Sequence, residues 1–548
     1  MPGELWQSSF QWGREVIGTA EVQTITPVGT PSSGTFTLTY NGQTTAAIAT
    51  TWSAALVQIA LRALPNVGGT LITCAGGPLA PGTPITVTFS GSLLGPQSLI
   101  TSNITSLAGV TSLGIVRTTP GTSLQGTAVA ATRKAYFNMD GKLSRTRASR
   151  PHAFMVGRRD NVLSVTSGPV QAGGTVNFPI SASEIIEPLS ISMRGQVVPT
   201  SLAAGTAAVQ TLTQGNTPTG GTFILSYLGQ STAAIAFGAT AAAVGTALNL
   251  VPSITAAGGV GVPTGGPFNT TPVVITFTTV GPQPLIVGNG ALLTGAGAQP
   301  TATVTSTTPG LYSANLWTFT PGTQIDSATI PWYDGARGWN GTGMRGGSLK
   351  ITGDVNTATT VSLTLAGQNL LAGGLTGGLS DRVPDFHEGW ETRIAIDNLG
   401  TPPGTTNVAG TLLSWDISMD NAIDWKYTAD NTLAANAILL GALTCTAKFK
   451  LEAAPQAALT EFNNWDNAGT ANPITRMIRL TFGNNTILTG AFTTFVTVDL
   501  PGSWTMVDLG QTEGATRCYE FSYSYIYSPN DLFGVQIRCQ NGRTAAFA

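Results

Sequence analysis

The pattern of apolar and polar residues predicts strands along most of the chain. Strand-forming residues alternate with polar ones over short runs that end in Gly, Pro or Asn, as half-buried strands do between turns. The clearest run is Cys518–Tyr527, where aromatic residues occupy the odd positions and Glu520, Ser522 and Ser524 lie between them. We predict a sheet that has a dry aromatic face and a wet polar face.

Similar runs predict strands elsewhere, at Gly173–Ile180, Leu316–Pro321, Asp326–Trp332, Ser348–Asp354, Val361–Leu365, Thr411–Ile417, Leu443–Leu451, Thr475–Phe482, Phe492–Asp499 and Leu532–Cys539. One helix is predicted in the C-terminal part. Pro455 would open it, and Leu459, Phe462 and Trp465 lie on one stripe that would pack on the sheet. The pattern therefore predicts a mainly β protein.

Two long segments of the chain repeat each other. Gly18–Thr24 reads GTAEVQT and Gly205–Thr211 reads GTAAVQT. At the same offset, GTFTL at Gly34–Leu38 is matched by GTFIL at Gly221–Leu225. A later strand and a TTPG sequence also recur. Two copies are too few for a solenoid, so we interpret them as inserted modules.

Each copy is predicted to fold as a hairpin, a helix and a second hairpin. In the first copy, Thr35–Tyr40 and Thr44–Ala49 flank Asn41–Gly42, the strongest short hairpin signal. Later strands are expected near Ile85–Phe89 and Ser112–Arg117. This ββαββ pattern resembles a module found in tandem in bacterial surface proteins and in phage structural proteins. The resemblance implies a role in display or adhesion and brings no catalytic residue.

The helix of the first copy is predicted to start after Ser53 as N-cap and to stop at Pro65. Its expected inner face carries the apolar residues at helical spacing, Leu56, Ile59, Ala60 and Leu64. The second copy has Leu228-Gly229 where the first has Asn41-Gly42.

The repeat divides the chain into a core and two small α+β modules. When the first copy is removed, WGREVIGTA joins VAATRKAYFN and reads as the continuous, strand-like start of a larger domain. We therefore predict five segments. The core comprises 1–20, 129–205 and 311–548, and the inserted modules comprise 21–128 and 206–310.

Composition makes several functions improbable. Only 9% of the residues are charged and the net charge is −2, against about 25% charged in an ordinary domain. No strong overall field recruits nucleic acid or an anionic membrane, and so few charges favour burial in an assembly. Met1–Phe10 lacks the features of a signal peptide, and Leu433–Ala447 is too short to span a bilayer. The four cysteines lack metal or disulfide spacing, so we expect free thiols in a reducing cytoplasm.

Positive charge concentrates in one short segment, which contains Arg133, Lys134, Lys142, Arg145, Arg147, Arg150, Arg158 and Arg159. Contact with nucleic acid is one interpretation. Aromatic residues for base stacking are sparse in this segment, so we favour contacts between subunits or rings.

Catalytic chemistry has few candidates, because His152 and His387 are the only histidines. Four carboxylates surround the second: Asp381, Asp385, Glu388 and Glu391. They could bind a hard cation or supply the carboxylate pair of a glycan hydrolase. A loop at a subunit contact is the favoured interpretation. Gly341–Gly346 matches a dinucleotide-binding pattern but precedes a strand instead of a helix. We predict no enzyme activity and no cofactor.

The core resembles the tail tube protein, or major tail protein, of long-tailed bacteriophages. The resemblance rests on WGREVIG joined to GTAVAATRKAYFN, then GGTVNFPI, TFTPG, DSATIPWYDG, GSLKITGD and VSLTLAGQ, and on the long β-rich C-terminal half. It implies a β-sandwich or barrel core with one flanking helix. It also implies hexameric rings that stack into a tube in the virion tail, assembled in the host cytoplasm.

The same resemblance implies the partners. These are further copies of the chain, the tape-measure protein in the lumen, tail terminator and baseplate or tip proteins, and phage DNA that passes without specific binding. The modules would project outward and contact a host surface glycan. Alternatives are a phage fibre, a capsid decoration protein or a bacterial adhesin.

The inner wall of such a tube must let DNA move through the lumen without holding it. A basic lumen would hold the phosphates, so lumen residues should be polar and not net basic. We therefore predict that Glu520, Ser522 and Ser524 are lumen candidates, and that the basic segment lies between subunits or rings.

Overall fold

The computed structural model describes residues 9–15, 20–49, 53–65, 67, 71–80, 83–90, 93, 97–119, 126–138, 140–153, 162–382, 385–429, 433–454, 456–466 and 474–547. Strands account for most of these residues and helices for few. The fold is mainly β, as the alternation of apolar and polar residues predicts.

The elements up to the second insert follow in chain order. The first core segment contains β1 (Ser9–Arg14). The first insert, module 1, contains β2 (Val22–Tyr40), β3 (Gln43–Thr44), β4 (Ile48–Ala49), α1 (Ala54–Arg62), β5 (Ile72–Ala80), β6 (Thr83–Phe89), β7 (Thr101–Asn103) and β8 (Leu107–Thr119). The core then continues with β9 (Arg133–Ala135), β10 (Lys142–Ala153), β11 (Val162–Pro179), α2 (Ile186–Ser192) and β12 (Thr200–Ala203).

The second insert and the rest of the core complete the order. The second insert, module 2, contains β13 (Ala207–Gly215), β14 (Pro218–Tyr227), β15 (Gln230–Ser231), β16 (Ile235–Ala236), α3 (Ala241–Asn249), α4 (Pro252–Ala256), β17 (Thr264–Gly265), β18 (Val273–Val280), β19 (Val287–Asn289), β20 (Leu293–Gly295) and β21 (Thr301–Thr308). The last core segment contains β22 (Ala314–Phe319), β23 (Ala328–Tyr333), β24 (Gly338–Asp354), β25 (Thr360–Gly367), β26 (Asn369–Ala372), a 3₁₀ turn (Gly389–Glu391), β27 (Arg393–Asn398), β28 (Leu412–Asp420), β29 (Asp424–Lys426), β30 (Ala437–Leu439), β31 (Thr444–Glu452), α5 (Gln456–Asp466), β32 (Thr475–Thr489), β33 (Phe492–Glu513), β34 (Thr516–Tyr525) and β35 (Gln536–Asn541).

The strands on either side of each insert pair with each other. β1 is antiparallel to β9, with Trp12 opposite Arg133, and its other edge pairs with β23. Around module 2, β12 is antiparallel to β22, with Thr200 opposite Leu316. Each module therefore leaves the core and returns to it through neighbouring strands.

The core strands form one large antiparallel sheet system. Its main order is β10-β11-β25-β24-β28-β31-β34-β33-β32-β27. From β33 a branch continues through β35 and β22 to β12, and from β24 another continues through β23 to β1 and β9. Because β24 and β33 bend through both parts, the sheets enclose a common interior.

The interior is filled by apolar residues from every core segment, including Trp12, Phe178, Trp317 and Phe521. All seven residues of α2 are buried there. The sequence did not predict this helix. It is short and buried on all sides, with Glu187, Ser190 and Ser192 among its apolar residues, so its sequence shows no helical periodicity that separates it from a buried strand.

The predicted C-terminal helix corresponds to α5, and Pro455 lies outside the described residues. Phe462 and Trp465 pack against the core as expected. The prediction was wrong for Leu459, which is 41% exposed. The buried positions are Ala458 and Glu461, one residue before and two after it.

Each module has a hydrophobic cluster of its own. Phe36, Leu38 and Phe89 belong to that of module 1, and Phe223 and Phe277 to that of module 2. These residues do not belong to the cluster that fills the core. A module therefore buries its apolar residues mainly against itself.

The predicted inner face of α1 was wrong for Leu56 and Ile59, whereas Leu64 is buried and Ala60 packs against the cluster of module 1, as predicted. Val57 and Leu61 are fully buried, whereas Leu56 and Ile59 are 47% and 63% exposed. The helix is apolar nearly all round, so two stripes both satisfied helical spacing. Ser53 occupies the N-cap position, as predicted, but its side chain makes no capping hydrogen bond.

Candidate assembly surfaces

The predicted lumen residues lie on the outer face of strands β24, β28, β31 and β34, called here the polar face. On β34, Phe521 and Tyr523 are buried in the core, at 0% and 2% exposed. Glu520, Ser522 and Ser524 are partly exposed on the opposite side. The predicted alternation of a dry and a wet face is confirmed for residues 520–524, but it was wrong for Tyr527, which lies beyond the end of β34 and is 61% exposed. The assignment of the wet face to a lumen stays a prediction.

Charges on the polar face are paired across strands. The Lys448 Nζ lies 2.9 Å from Glu520 Oε1, and the Lys450 Nζ lies 2.7 Å from Glu513 Oε2. A hydrogen bond from each lysine to its partner raises the pKa of both lysines. These groups are partly exposed to solvent, so the pairs add little stability. Their main effect is a face that alternates in sign without excess positive charge.

A shallow groove of about 420 Å³ crosses the polar face. Lys350 and Asp416 pair at 2.8 Å beside it. Its lining is rich in hydroxyl groups and contains Lys350, Asp416, Ser418, Thr446, Ala447, Lys448, Thr505, Ser522, Tyr523 and Ser524. Such a surface offers weak, exchangeable hydrogen bonds instead of a deep binding pocket.

The two strands β10 and β11 extend beyond the core as a ribbon, called here the arm. Every residue of Ser144–Ala153 is exposed, and Val165 on the partner strand is 61% exposed. The predicted contact residues Arg145, Arg147 and Arg150 lie on it. No acidic side chain in the described part of the chain pairs with these three arginines. Strand β10 of the arm is therefore an exposed, positively charged surface, whereas β11 is buried at Gly168 and Val170, where the Val170 N–H donates to the Leu433 carbonyl at 2.8 Å.

Arg133 is not available for a contact between subunits, so that prediction needs correction. Its side chain is 3% exposed, binds Glu184 and lies 3.8 Å from Glu187. Burial lowers the pKa of Arg133, and Glu187 counteracts this effect. A charge this deep must be paired within its own chain, and a count of basic residues along the sequence cannot distinguish it from an exposed one.

The same network holds the C-terminal segment. Arg543 Nη1 donates to Glu187 Oε2 at 3.0 Å, and the Phe547 backbone N–H donates to Glu187 Oε1 at 2.9 Å. Burial raises the pKa of Glu187, but the charges of Arg543 and Arg133 outweigh it and lower the pKa to about 2. Sequence reasoning missed Glu187. The available signal was an acidic residue inside an apolar stretch, which requires a buried partner.

The other predicted contact residues differ in position. Lys134 is partly exposed and pairs with Asp381 at 2.6 Å. Arg158 and Arg159 lie outside the described residues. The role of Lys134 and of the three arm arginines in subunit contacts stays a prediction.

The acidic candidate segment forms a rigid projection, called here the knob and defined as residues 385–391. His387 and Gly389 point inward and are buried, whereas Phe386, Glu388 and Trp390 point outward. Trp390 is 72% exposed and Phe386 38%. The Glu388 N–H donates to Glu391 Oε2 at 3.0 Å in a capping box.

His387 anchors the knob as an apolar residue would. It is 0% exposed, and neither ring nitrogen has a hydrogen-bond partner in the described structure. Burial lowers the pKa of His387, and the charges of Asp385 and Glu391 work against this effect. The ring is therefore neutral at pH 7. Its backbone N–H donates to the Ile180 carbonyl at 3.1 Å.

The carboxylates around the knob do not converge on one point. Asp381 pairs with Lys134, and Asp385 Oδ1 accepts from the Ser181 hydroxyl at 2.6 Å. Among the described residues, no group of three or more His, Cys, Asp or Glu side chains is placed to hold a metal ion. Gly341–Gly346 lies within β24, where no helix N-terminus is available for a pyrophosphate.

No model of a known protein family matches the chain, and no curated protein matches its sequence. Among the helices that the structure describes, none is long and apolar enough to cross a lipid bilayer.

Proposed function

We propose that the chain is a structural virion protein that forms the tail tube of a long-tailed phage. In this proposal six copies form a ring, rings stack into a conduit for DNA ejection, and two modules decorate the outside. The resemblance of the core motifs to tail tube proteins supports the family. The proposed role in assembly rests mainly on the exposed arm.

The arm is an unusual feature for a protein that works alone. A two-stranded ribbon in water is at best marginally stable. Here the residues of Ser144–Ala153 are all exposed, and Arg145, Arg147 and Arg150 have no acidic partner among the described residues. In contrast, Arg14, Arg117, Arg476 and Arg479 all pair within the chain. A neighbouring copy would cover the ribbon and neutralise its charge.

The polar face supports the conduit. Its lysines at 350, 448 and 450 each pair with a carboxylate, so the face has no surplus positive charge to hold passing phosphates. The hydroxyl groups of Ser522 and Ser524 make the polar face hydrophilic. In the proposed tube this face lines the lumen, which the tape-measure protein fills before DNA passes.

The position of the modules supports their role as decoration. Each leaves the core between two paired strands, and each has its own hydrophobic cluster. A segment with these properties can project outward without disturbing the sheet. We propose that the modules contact a host surface glycan, and that tail terminator and baseplate or tip proteins bind the two ends of the tube.

Electron microscopy of the purified full chain tests the assembly. We expect rings or hollow rods, with light scattering that shows multiples of six copies. Monomers or trimeric stalks would instead support a fibre or adhesin and would overturn the tube.

Deletion of Glu21–Ala128 tests the peripheral placement of module 1. The deleted chain should still form tubes of the same inner diameter and a smaller outer diameter. If the deletion abolishes assembly while the core remains folded by circular dichroism, module 1 takes part in ring contacts and its assignment as decoration is wrong.

A further inference from the structure

The knob has the geometry of a receptor for a guanidinium group. Its outward side chains alternate as aromatic, acidic and aromatic at Phe386, Glu388 and Trp390. Arg side chains stack on aromatic faces, most favourably on Trp, and pair with carboxylates in the same plane. Large exposed aromatic residues that flank a carboxylate in this way mark a site for a partner instead of a solvent surface.

The knob is also held rigidly, so little ordering is needed when a partner binds. His387 is buried below it, and the Gly389 N–H donates to the Thr357 carbonyl at 2.9 Å. Gly389 leaves no room for a side chain, because a Cβ there would collide with the Asp354 carbonyl. The capping box between Glu388 and Glu391 fixes the turn. Rigid presentation lowers the entropy cost of association.

The arm is the chemical complement of the knob. Arg145 and Arg147 lie two residues apart on β10, which puts them on one face of the strand at a separation of roughly 7 Å. The knob carries Asp385, Glu388 and Glu391. The arm supplies unpaired guanidinium groups, and the knob supplies carboxylates beside exposed aromatic rings.

The arm cannot reach the knob of its own chain. Both are attached to β11, the arm along its N-terminal half and the knob at its C-terminal end. Arg147 lies opposite Val170, and the knob is bonded to Ile180 just beyond the C-terminal end of the strand. Ten residues of extended chain span roughly 33 Å. Any contact between the two surfaces therefore joins different copies.

We propose that the arm of one copy binds the knob of the next copy, with arm arginines against Glu388 and Trp390. This inference deepens the proposed tube function and rests on it. Two different surfaces, one along the N-terminal half of a strand and one at its C-terminal end, make a head-to-tail contact, which propagates until it closes or continues as a stack. The contact would thus supply the direction in which subunits add.

Charge exchange between copies tests the contact. The arm variant carries Arg145→Glu, Arg147→Glu and Arg150→Glu, and the knob variant carries Glu388→Arg. Each variant alone should raise the concentration needed for assembly at least tenfold, as measured by sedimentation. An equimolar mixture should assemble again, because each reversed surface then meets its complement. Arg194→Glu, an exposed basic residue outside the arm, is the matched control and should assemble normally.

Cross-linking locates the contact directly. One protein carries Arg147→Cys and another Glu388→Cys, both with Cys74→Ala, since the other cysteines are buried. Mild oxidation of the mixed assembly should give a dimer of the two different chains. Oxidation of either variant alone should give no such product. Loss of assembly in Trp390→Ala with normal circular dichroism would add support.

The outcomes separate this inference from the proposed function. If wild-type rods form, neither charge variant alters them and no cross-link appears, the arm–knob contact is wrong while the tube stands. If the wild type stays monomeric, both are wrong. If the arm variant assembles normally but loses binding to duplex DNA in a fluorescence anisotropy titration, the arm is a nucleic-acid surface and the contact is overturned.

Discussion

The two modules share one backbone plan and differ in how they satisfy their polar interior. In both, a buried glutamine on the long strand bridges a distant loop: Gln23 Oε1 accepts from the Ile100 N–H, and Gln210 Oε1 accepts from the Ile286 N–H, each at 2.9 Å. Outside this common frame the modules diverge. Module 1 contains Glu21, Arg62 and Arg117, whereas module 2 contains no Asp, Glu, Lys, Arg or His. Charge is therefore not needed for this fold.

One difference is an ion pair. In module 1, the Arg117 Nε lies 2.9 Å from Glu21 Oε1, and the buried Glu21 carboxylate also accepts from the Gln97 N–H at 2.9 Å. Arg117 lies opposite Gln23 in the sheet, and Ser306 lies opposite Gln210 in module 2. The residue that replaces Glu21 there is Ala208, which is buried. Both members of the pair have changed together.

A second difference concerns a helix and the strand beside it. In module 1 the Cys74 N–H donates to Gln58 Oε1 at 2.8 Å. Module 2 has Pro263 and Gly245 at these positions, by alignment of the repeats. Proline has no N–H to satisfy, and a Cβ at Gly245 would collide with the Pro263 ring. In both comparisons two contacting residues differ between the modules as a pair. Hydrogen bonding and packing therefore remain satisfied in each module.

The largest expected effect comes from Glu21→Ala. It leaves the Gln97 N–H without its carboxylate and removes the partner of Arg117, so module 1 should lose about 2–4 kcal/mol of its free energy of unfolding. Hydrogen exchange of the full chain, resolved by peptide, measures this loss. Module 2 is the internal control and should exchange as before.

Adding Arg117→Ser to Glu21→Ala should cost little more, because the Arg117 side chain is 41% exposed, has already lost its ionic partner and keeps only a solvent-exposed hydrogen bond to the Gln97 carbonyl. A second loss as large as the first would show that the two residues act independently. That result would contradict their description as one contacting pair.

The next effect is expected from Gly245→Gln, which should destabilise module 2 by about 1–3 kcal/mol through overpacking against Pro263. The double variant Gly245→Gln with Pro263→Cys should recover most of the loss, because it rebuilds the arrangement of module 1. Peptide-resolved hydrogen exchange again provides the measurement. No recovery in the double variant would mean that the two positions are not equivalent to Gln58 and Cys74.

Alkaline pH should separate the modules. Burial raises the pKa of the Cys74 thiol to about 12 from an ordinary value of 9.0, and Arg62 opposes this shift. The unfolded thiol ionises first, so the stability that Cys74 contributes is complete below pH 9 and is lost as the pH rises toward 12. At pH 10 module 1 should lose about 1.4 kcal/mol relative to module 2.

Pulse proteolysis at pH 8 and pH 10, with fragments identified by mass spectrometry, checks this difference. Tyr40 and Tyr227 are equivalent and both have a pKa raised by burial, so their effects largely cancel between the modules. Cys74→Ala should remove the difference. A difference that persists in that variant would rule out the thiol as its cause.

The smallest expected effect lies in the hairpin turns. Asn41 and Leu228 both adopt a left-handed backbone, with φ of 47° and 48°. Asn tolerates this region better than Leu, so Leu228→Asn should stabilise module 2 by about 0.5–1 kcal/mol. Thermal or urea unfolding followed by hydrogen exchange in module 2 would detect it. Asn41→Leu should have the opposite sign in module 1, and a stabilising result there would contradict the argument.

Sequence patterns predicted the strands well because alternation is a local property. The odd and even positions of Cys518–Tyr527 specify two faces without knowledge of any partner. The turn at Asn41–Gly42 was predicted for the same reason, since its positive φ angles depend on two residues. The repeated sequence also identified which segments of the two modules are equivalent.

Burial depended on tertiary packing and was predicted less well. The sequence of α1 contains two apolar stripes, and only contact with the module core selects Val57 and Leu61. Arg133 was grouped with the arm arginines because it is near them in sequence. Its depth depends on Glu184 and Glu187, which lie more than fifty residues away. Long-range pairing of this kind leaves little trace in a single sequence.

The pairing of β1 with β23 has a consequence for synthesis of the protein. A nascent chain exposes Ser9–Arg14 early, but its partner Ala328–Tyr333 emerges only after both modules have been translated. The strands of each module pair within that module. The modules can therefore fold near the ribosome before the first core strand has its partner. Each closed module also brings its two ends together, which shortens the loop that the late pairing must close. Folding of the two modules would thus help to bring the strands of the core together.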